Sequence, residues 1–148
     1  MATLKELRDE RLRKLDELKA LGVNAYPAKT ERTHVLSDVS EKFSELEGKD
    51  ATLVGRIVSI RKFGKLAFIV IKDTSGTLQL FLRDGEVEKF IAEDSQLGLE
   101  QINLLDSGDF VQTSGKIIKT QTGEISLGVN KLRLLTKSLR PMPTKQDG

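Results

Sequence analysis

Within the stretch 61–83 the chain sets cations, aromatic rings and an amide close together: Arg61, Lys62, Lys65, Phe68, Gln79, Phe81 and Arg83. A ring offers a flat surface for stacking, a guanidinium or ammonium group takes phosphate, and an amide can pair the donor–acceptor edge of a base. That set suits holding single-stranded nucleic acid rather than making or breaking bonds. Each member also has a plainer reading. Phe68 can be a core aromatic inside an apolar run, Gln79 an ordinary exposed strand residue, and Arg61 a solvated cation.

Most catalytic chemistries lack their residues. The 148-residue chain has no Cys, which removes disulfides, thiolate nucleophiles and Cys-based zinc or iron–sulfur sites. The single His34, in the polar stretch Glu31–His34, leaves no multi-histidine metal site. It reads as a solvated loop or helix-start residue rather than a triad base. No apolar run approaches the ~20 residues that span a bilayer, and no signal-peptide pattern opens the chain. A cytoplasmic, non-membrane, metal-free protein is the expectation. The net charge of +2 conceals a strong segregation. Residues 1–50 sum to −1, 51–83 to +5, 84–109 to −7 and 110–148 to +5. Two basic blocks around an acidic insert form a footprint for phosphate that net charge hides.

The elements that must position these residues can be read in order. Residues 3–21 form an amphipathic helix, with Thr3-Leu4-Lys5-Glu6 as a capping box and Gly22 as the residue past its end. Leu4, Leu7, Leu15, Leu18 and Leu21 share a stripe about 120° wide, which needs a surface to dock on. After a loop over 22–34, the residues Leu36, Val39, Phe43 and Leu46 mark a shorter helix stopped by Gly48. Strands then follow at 51–62 and 65–72, with a tight turn at Asp73–Gly76. If Ala67, Ile69 and Ile71 face the core, Phe68 faces out. In the third strand Leu78, Leu80 and Leu82 take one face and Gln79, Phe81 and Arg83 the other. The acidic segment 86–105 has apolar residues at broadly helical spacing, weakened by Gly98. A fourth strand spans 109–119 with Gly115 as a bulge position. A hairpin turn at Thr120–Gly123 leads to a fifth, with Ile125, Leu127 and Val129 inward and Glu124, Ser126, Gly128 and Asn130 outward. The fold class expected is mainly β with helices. Three strands, a helix and two strands is the order of an oligonucleotide-binding (OB) fold, a five-stranded barrel, here preceded by an amphipathic helix.

Longer motifs carry a resemblance. Gly55-Arg56, Arg61–Phe68 and Asp73-x-Ser75-Gly76-x-Leu78-Gln79-Leu80 resemble the anticodon-binding barrel of the class II aminoacyl-tRNA synthetases for lysine, aspartate and asparagine. Three features resemble the bacterial-type lysyl enzymes within that group: the opening leucine helix running to Tyr26-Pro27, Gly108-Asp109 with Gly115-Lys116 and Lys119–Glu124, and Leu134–Pro143. The resemblance implies that Phe68 stacks on the central uracil of the lysine anticodon, that Arg61 and Gln79 hydrogen-bond that base, and that Glu124 contacts a neighbouring one. Lys62, Lys65 and Arg83 are candidates for the RNA backbone, and Arg8, Arg11, Arg13, Lys14 and Lys19 of the opening helix are weaker ones. It further implies a helical extension at 1–50, the barrel at 51–136 and a linker at 137–148 toward a catalytic domain this chain does not contain. ATP and Mg belong to that domain, so no cofactor and no catalytic residue are expected here. The implied partner is lysine-accepting tRNA, and the full-length family member is a homodimer. Ala25, where Pro is usual, and Asp147, where His is common, depart from the pattern away from the base-reading face. The alternatives are the aspartyl or asparaginyl homologue, a general single-strand binder, and a protein-interaction module built on the leucine stripe.

Overall fold

The computed structural model describes residues 3–23 and 30–139; Ala25, Tyr26-Pro27 and Asp147 lie outside them. Helix α1 (Leu4–Ala20) starts where Thr3 accepts a hydrogen bond from the Glu6 N–H at 3.1 Å. It ends where Gly22, at φ +90°, lets its N–H reach the Lys19 carbonyl and the Val23 N–H reach the Leu18 carbonyl. Those two bonds satisfy terminal carbonyls that a straight helix leaves open. Two short helices, α2 (Leu36–Glu41) and α3 (Phe43–Leu46), precede the strands.

Strands β1 (Asp50–Phe63), β2 (Leu66–Lys72) and β3 (Thr77–Arg83) form an antiparallel meander, and β5 (Phe110–Lys119) and β6 (Ile125–Thr136) form a hairpin. β1 also pairs with β5, while β3 pairs in parallel with β6 through Gln79, Leu80 and Phe81. The ladder therefore closes on itself, β1–β2–β3–β6–β5, as a five-stranded barrel. Period-2 alternation fills it: Leu53, Ile57, Ile69, Ile71, Leu80, Leu82, Ile117 and Leu127 are fully buried. Leu36 and Val39 of α2 join the same core. Gly115 is required at a register shift in β5, because a Cβ there would stand 2.0 Å from the Gly128 carbonyl oxygen.

Three expectations are corrected. Residues 86–105 are not one helix but two 3₁₀ turns, at Ala92–Asp94 and Leu99–Leu104, flanking a two-residue strand β4 (Gln96–Leu97) on β6. Ser95, at φ +56°, breaks the helical path, and its carbonyl accepts the Leu134 N–H at 3.0 Å. Gly98 is buried, where a Cβ would stand a tight 3.2 Å from both Gln101 Oε1 and the Phe90 nitrogen. Ser126 shares the outer face with its register partner Gln79 but is wholly buried there instead of exposed, because the closure of β6 on β3 covers it. Finally, α1 docks through Leu15, Leu18 and the stem of Arg11, leaving Leu4 75% exposed and Leu7 and Leu21 over a third exposed.

Beside the buried Leu15 and Leu18, an ionic cluster fixes that docking. Lys137 is buried, with Nζ 2.7 Å from both Asp106 Oδ2 and Asp109 Oδ2. Lys14 of α1 reaches Asp106 Oδ1 at 2.7 Å, and Arg11 donates to the Ser107 carbonyl at 2.8 Å and the Ser138 carbonyl at 3.4 Å. Burial pushes the Asp109 carboxyl up, and the charge and hydrogen bond of Lys137 only partly offset this. Burial also pushes Asp106 up, but two lysines outweigh it and hold that carboxyl below the usual range. Arg11 and Lys14 are thus committed to the protein itself, and Arg13 pairs with Glu10 at 2.6 Å.

Candidate nucleic-acid interface

The alternation of β2 and β3 puts Phe68, Val70 and Lys72 beside Phe81, Gln79 and Thr77 on the outer surface of the barrel, while Ala67, Ile69 and Ile71 fill the core. Phe68 is half-buried, held edge-to-face by Phe81 at 5.1 Å and by Phe63 at 6.3 Å between ring centroids. Arg61 is the residue opposite Phe68 across β1 and β2, and its guanidinium lies 5.3 Å from the ring centroid. A flat cation over a braced ring is a stacking platform with a built-in donor.

Gln79 lies two residues from Phe81 on the same face. Its amide NH₂ donates to Ser126 Oγ at 3.0 Å, and that hydroxyl donates to the Glu124 carbonyl at 3.2 Å. The amide is oriented by these bonds and keeps its carbonyl oxygen and one N–H for a ligand. An imide edge, one donor between two acceptors, is what such an amide plus a guanidinium can pair. Glu124 is exposed just beyond the hairpin turn, where the Thr120 N–H donates to the Glu124 carbonyl. Two hollows meet at that turn. One, of about 320 Å³, is lined by Gln79, Val70, Thr77 and Glu124, and the other, of about 620 Å³, by Phe68, Phe81, Ile118 and Thr122.

The structure brings Arg61, Phe68, Gln79 and Glu124 to one face. It does not bring all the cations there. Lys62 points to the opposite side of β1, into a hollow shared with Val58, Ile60, Ile102 and Ser107. Lys65 is exposed in the β1–β2 turn. Arg83 does reach this face, at the exposed rim of the Phe68–Phe81 hollow, but is paired with Glu86 at 2.6 Å. Sequence reasoning gave no role to Ser126, whose outward position did not reveal its burial against Gln79, and none to Phe63, which the edge-to-face packing makes a brace.

A closed barrel with a stacking ring and edge-pairing groups on its β2–β3 surface is the anatomy of an oligonucleotide-binding module. Residues 51–135 match the tRNA anticodon family, described as an OB-fold nucleic acid binding domain, and the chain belongs to that family. Among its relatives are three enzymes named lysine–tRNA ligase. Those of Fervidobacterium nodosum and Syntrophomonas wolfei are 39% and 40% identical, each over 98% of this chain and 28% of the relative. That of Moorella thermoacetica is 42% identical over 93% of this chain and 27% of the relative. The chain therefore spans a little over a quarter of the length of these curated relatives. Among the described residues, no helix is long and apolar enough to cross a membrane, and no cluster of three or more acidic or histidine ligands could hold a metal.

Proposed function

We propose that the chain recognises the anticodon of lysine-accepting tRNA in the cytoplasm, as the RNA-reading part of a lysine–tRNA ligase. The observation that carries this is the oriented pair of Gln79 and Arg61 beside the braced Phe68 ring. An unstacked central uracil lies on the ring, its imide N–H given to the Gln79 carbonyl and its carbonyl oxygens to the Gln79 and Arg61 N–H donors. A cytosine or purine leaves these groups unpaired, which is how such a site rejects it. Glu124 accepts from an amine or imide of a neighbouring base. Lys65 supports the backbone; Lys62 and Arg83 contribute less, the one by its direction and the other by its pairing with Glu86. This polypeptide by itself forms no lysyl-adenylate, and ATP, magnesium and homodimer formation belong to the longer enzyme. An ATP–pyrophosphate exchange rate above background for this chain overturns that part.

The test is a titration of a lysine-anticodon stem-loop against one with the central uracil replaced, at two salt concentrations. Phe68→Ala costs about 1–3 kcal/mol in binding, and Gln79→Ala lowers the ratio between the two loops. Unchanged discrimination in both variants defeats the assignment. Equal wild-type affinity for both loops makes the chain a general single-strand binder.

A further inference from the structure

Phe68, Val70 and Lys72 are successive outward residues of β2, and each lines a different hollow: the aromatic one, the amide one, and a third of about 510 Å³. The third hollow is walled by Arg32, Val54, Arg56, Lys72, Asp73 and Phe110. Arg56 stands opposite Lys72 on one side and Phe110 on the other, and its guanidinium lies over the Phe110 ring at 4.7 Å. This repeats the Arg61–Phe68 arrangement about 13 Å further along the strand, at roughly 3.3 Å per residue. Arg32, Arg56 and Lys72 make none of the ion pairs among the described residues. Among the described residues the one carboxylate in the wall is Asp73, which accepts from the N–H groups of Ser75 and Gly76 in its own bend and of Leu36 at the start of α2. It makes no ion pair with the three cations, and its single charge leaves the wall net positive.

We infer that this hollow is a second nucleotide subsite, taking a residue of the same RNA strand that flanks the bases read at Phe68 and Gln79. Its phosphodiester lies against Lys72 and Arg32, and its base or ribose against the Arg56–Phe110 stack. The subsite has no edge-pairing amide comparable to Gln79, so it adds affinity without adding sequence preference. The inference rests on the RNA-binding reading of this face, and its test separates the two.

The experiment titrates wild type, Lys72→Ala, Arg32→Ala and Arg56→Gln with the lysine-anticodon stem-loop and with a trinucleotide of the anticodon alone, each at two salt concentrations. Thermal unfolding of each variant accompanies it. Lys72→Ala and Arg32→Ala change exposed side chains, so they remain informative if Arg56→Gln loses stability with its ring contact. The expected result is a loss of roughly fivefold on the stem-loop for Lys72→Ala, the scale of one exposed hydrogen bond. Its salt slope falls by about 0.7–1. The trinucleotide is unaffected and the preference for uracil unchanged. Stem-loop binding equal to wild type in all three variants overturns the subsite, and so does an equal loss on the trinucleotide, which marks a general field effect. If wild type binds but does not distinguish the loops, the anticodon reading fails while the long-against-short comparison still decides the subsite. If no RNA binds, both fail.

Discussion

Lys137→Met isolates the charge at the centre of the buried ionic cluster, since methionine replaces the aliphatic stem and removes only the ammonium. In the native protein that group makes hydrogen bonds of 2.7 Å to both Asp106 and Asp109. Bonds to charged partners contribute about 1.5–3 kcal/mol each. Their loss sets an upper range of roughly 3–6 kcal/mol, and breaking a buried pair is known to cost about 3–5 kcal/mol. Asp106 keeps Lys14, so the orphan is Asp109, which is wholly buried. The carboxyl of Asp109 is already raised by burial, and losing Lys137 raises it further. A raised acid means that the folded state binds the proton more tightly than the unfolded one, so the variant's penalty is full at neutral pH and shrinks on acidification. Urea unfolding followed by circular dichroism at neutral and mildly acidic pH measures both terms. The expected penalty at neutral pH is about 3–5 kcal/mol, with a melting temperature lower by roughly 10 °C. Lys137→Met combined with Asp109→Asn recovers a large part of it, since no buried charge is left alone. A single variant within about 0.5 kcal/mol of wild type, or a penalty independent of pH, refutes the reasoning.

Gly115→Ala forces a methyl group against the Gly128 carbonyl at the hairpin's register shift, costing about 2–3 kcal/mol in chemical denaturation. Ser126→Ala removes the group that aims Gln79. It lowers uracil discrimination about fivefold to tenfold, on the scale of one hydrogen bond, with a smaller effect on the substituted loop. Partial burial raises Asp73, but the Ser75 hydroxyl and the N–H groups of Leu36, Ser75 and Gly76 outweigh it and hold the carboxyl low. Stability from Asp73 is therefore present above the ordinary carboxylate range and lost as pH falls through its folded value. Asp73→Asn flattens the acid side of a plot of urea midpoint against pH.

Features written in neighbouring residues were legible without coordinates. Thr3 and Gly22 bound α1 through bonds spanning only a few positions, and the alternation of Leu78, Leu80 and Leu82 placed Gln79 and Phe81 on the outer face. Phe68 could be oriented only by assuming which neighbours filled the core. What stayed hidden depends on partners distant in sequence. Lys137 meets Asp106 31 positions away and Lys14 meets it across 92, and no local pattern records either. The helical spacing in 86–105 was outweighed by a left-handed residue and by pairing with β6. Ser126 looked solvent-facing because strand alternation does not reveal that β3 will close over it.

That closure has a kinetic side. Only three residue pairs, parallel ones, join β3 to β6, against seven antiparallel pairs between β2 and β3. Parallel pairing is slightly weaker per residue, so this is the weakest run of the ladder and the first place the ring parts in native-state fluctuations. Gln79 and Phe81 stand on one lip and Glu124 and Ser126 on the other. A strand of RNA laid across them acts as a splint. Those amides of Ser126–Gly128 that face β3 rather than β5 should exchange with solvent faster than those of β1 in the free protein, and slow most when RNA binds, because ligand that favours the closed ring suppresses the opening.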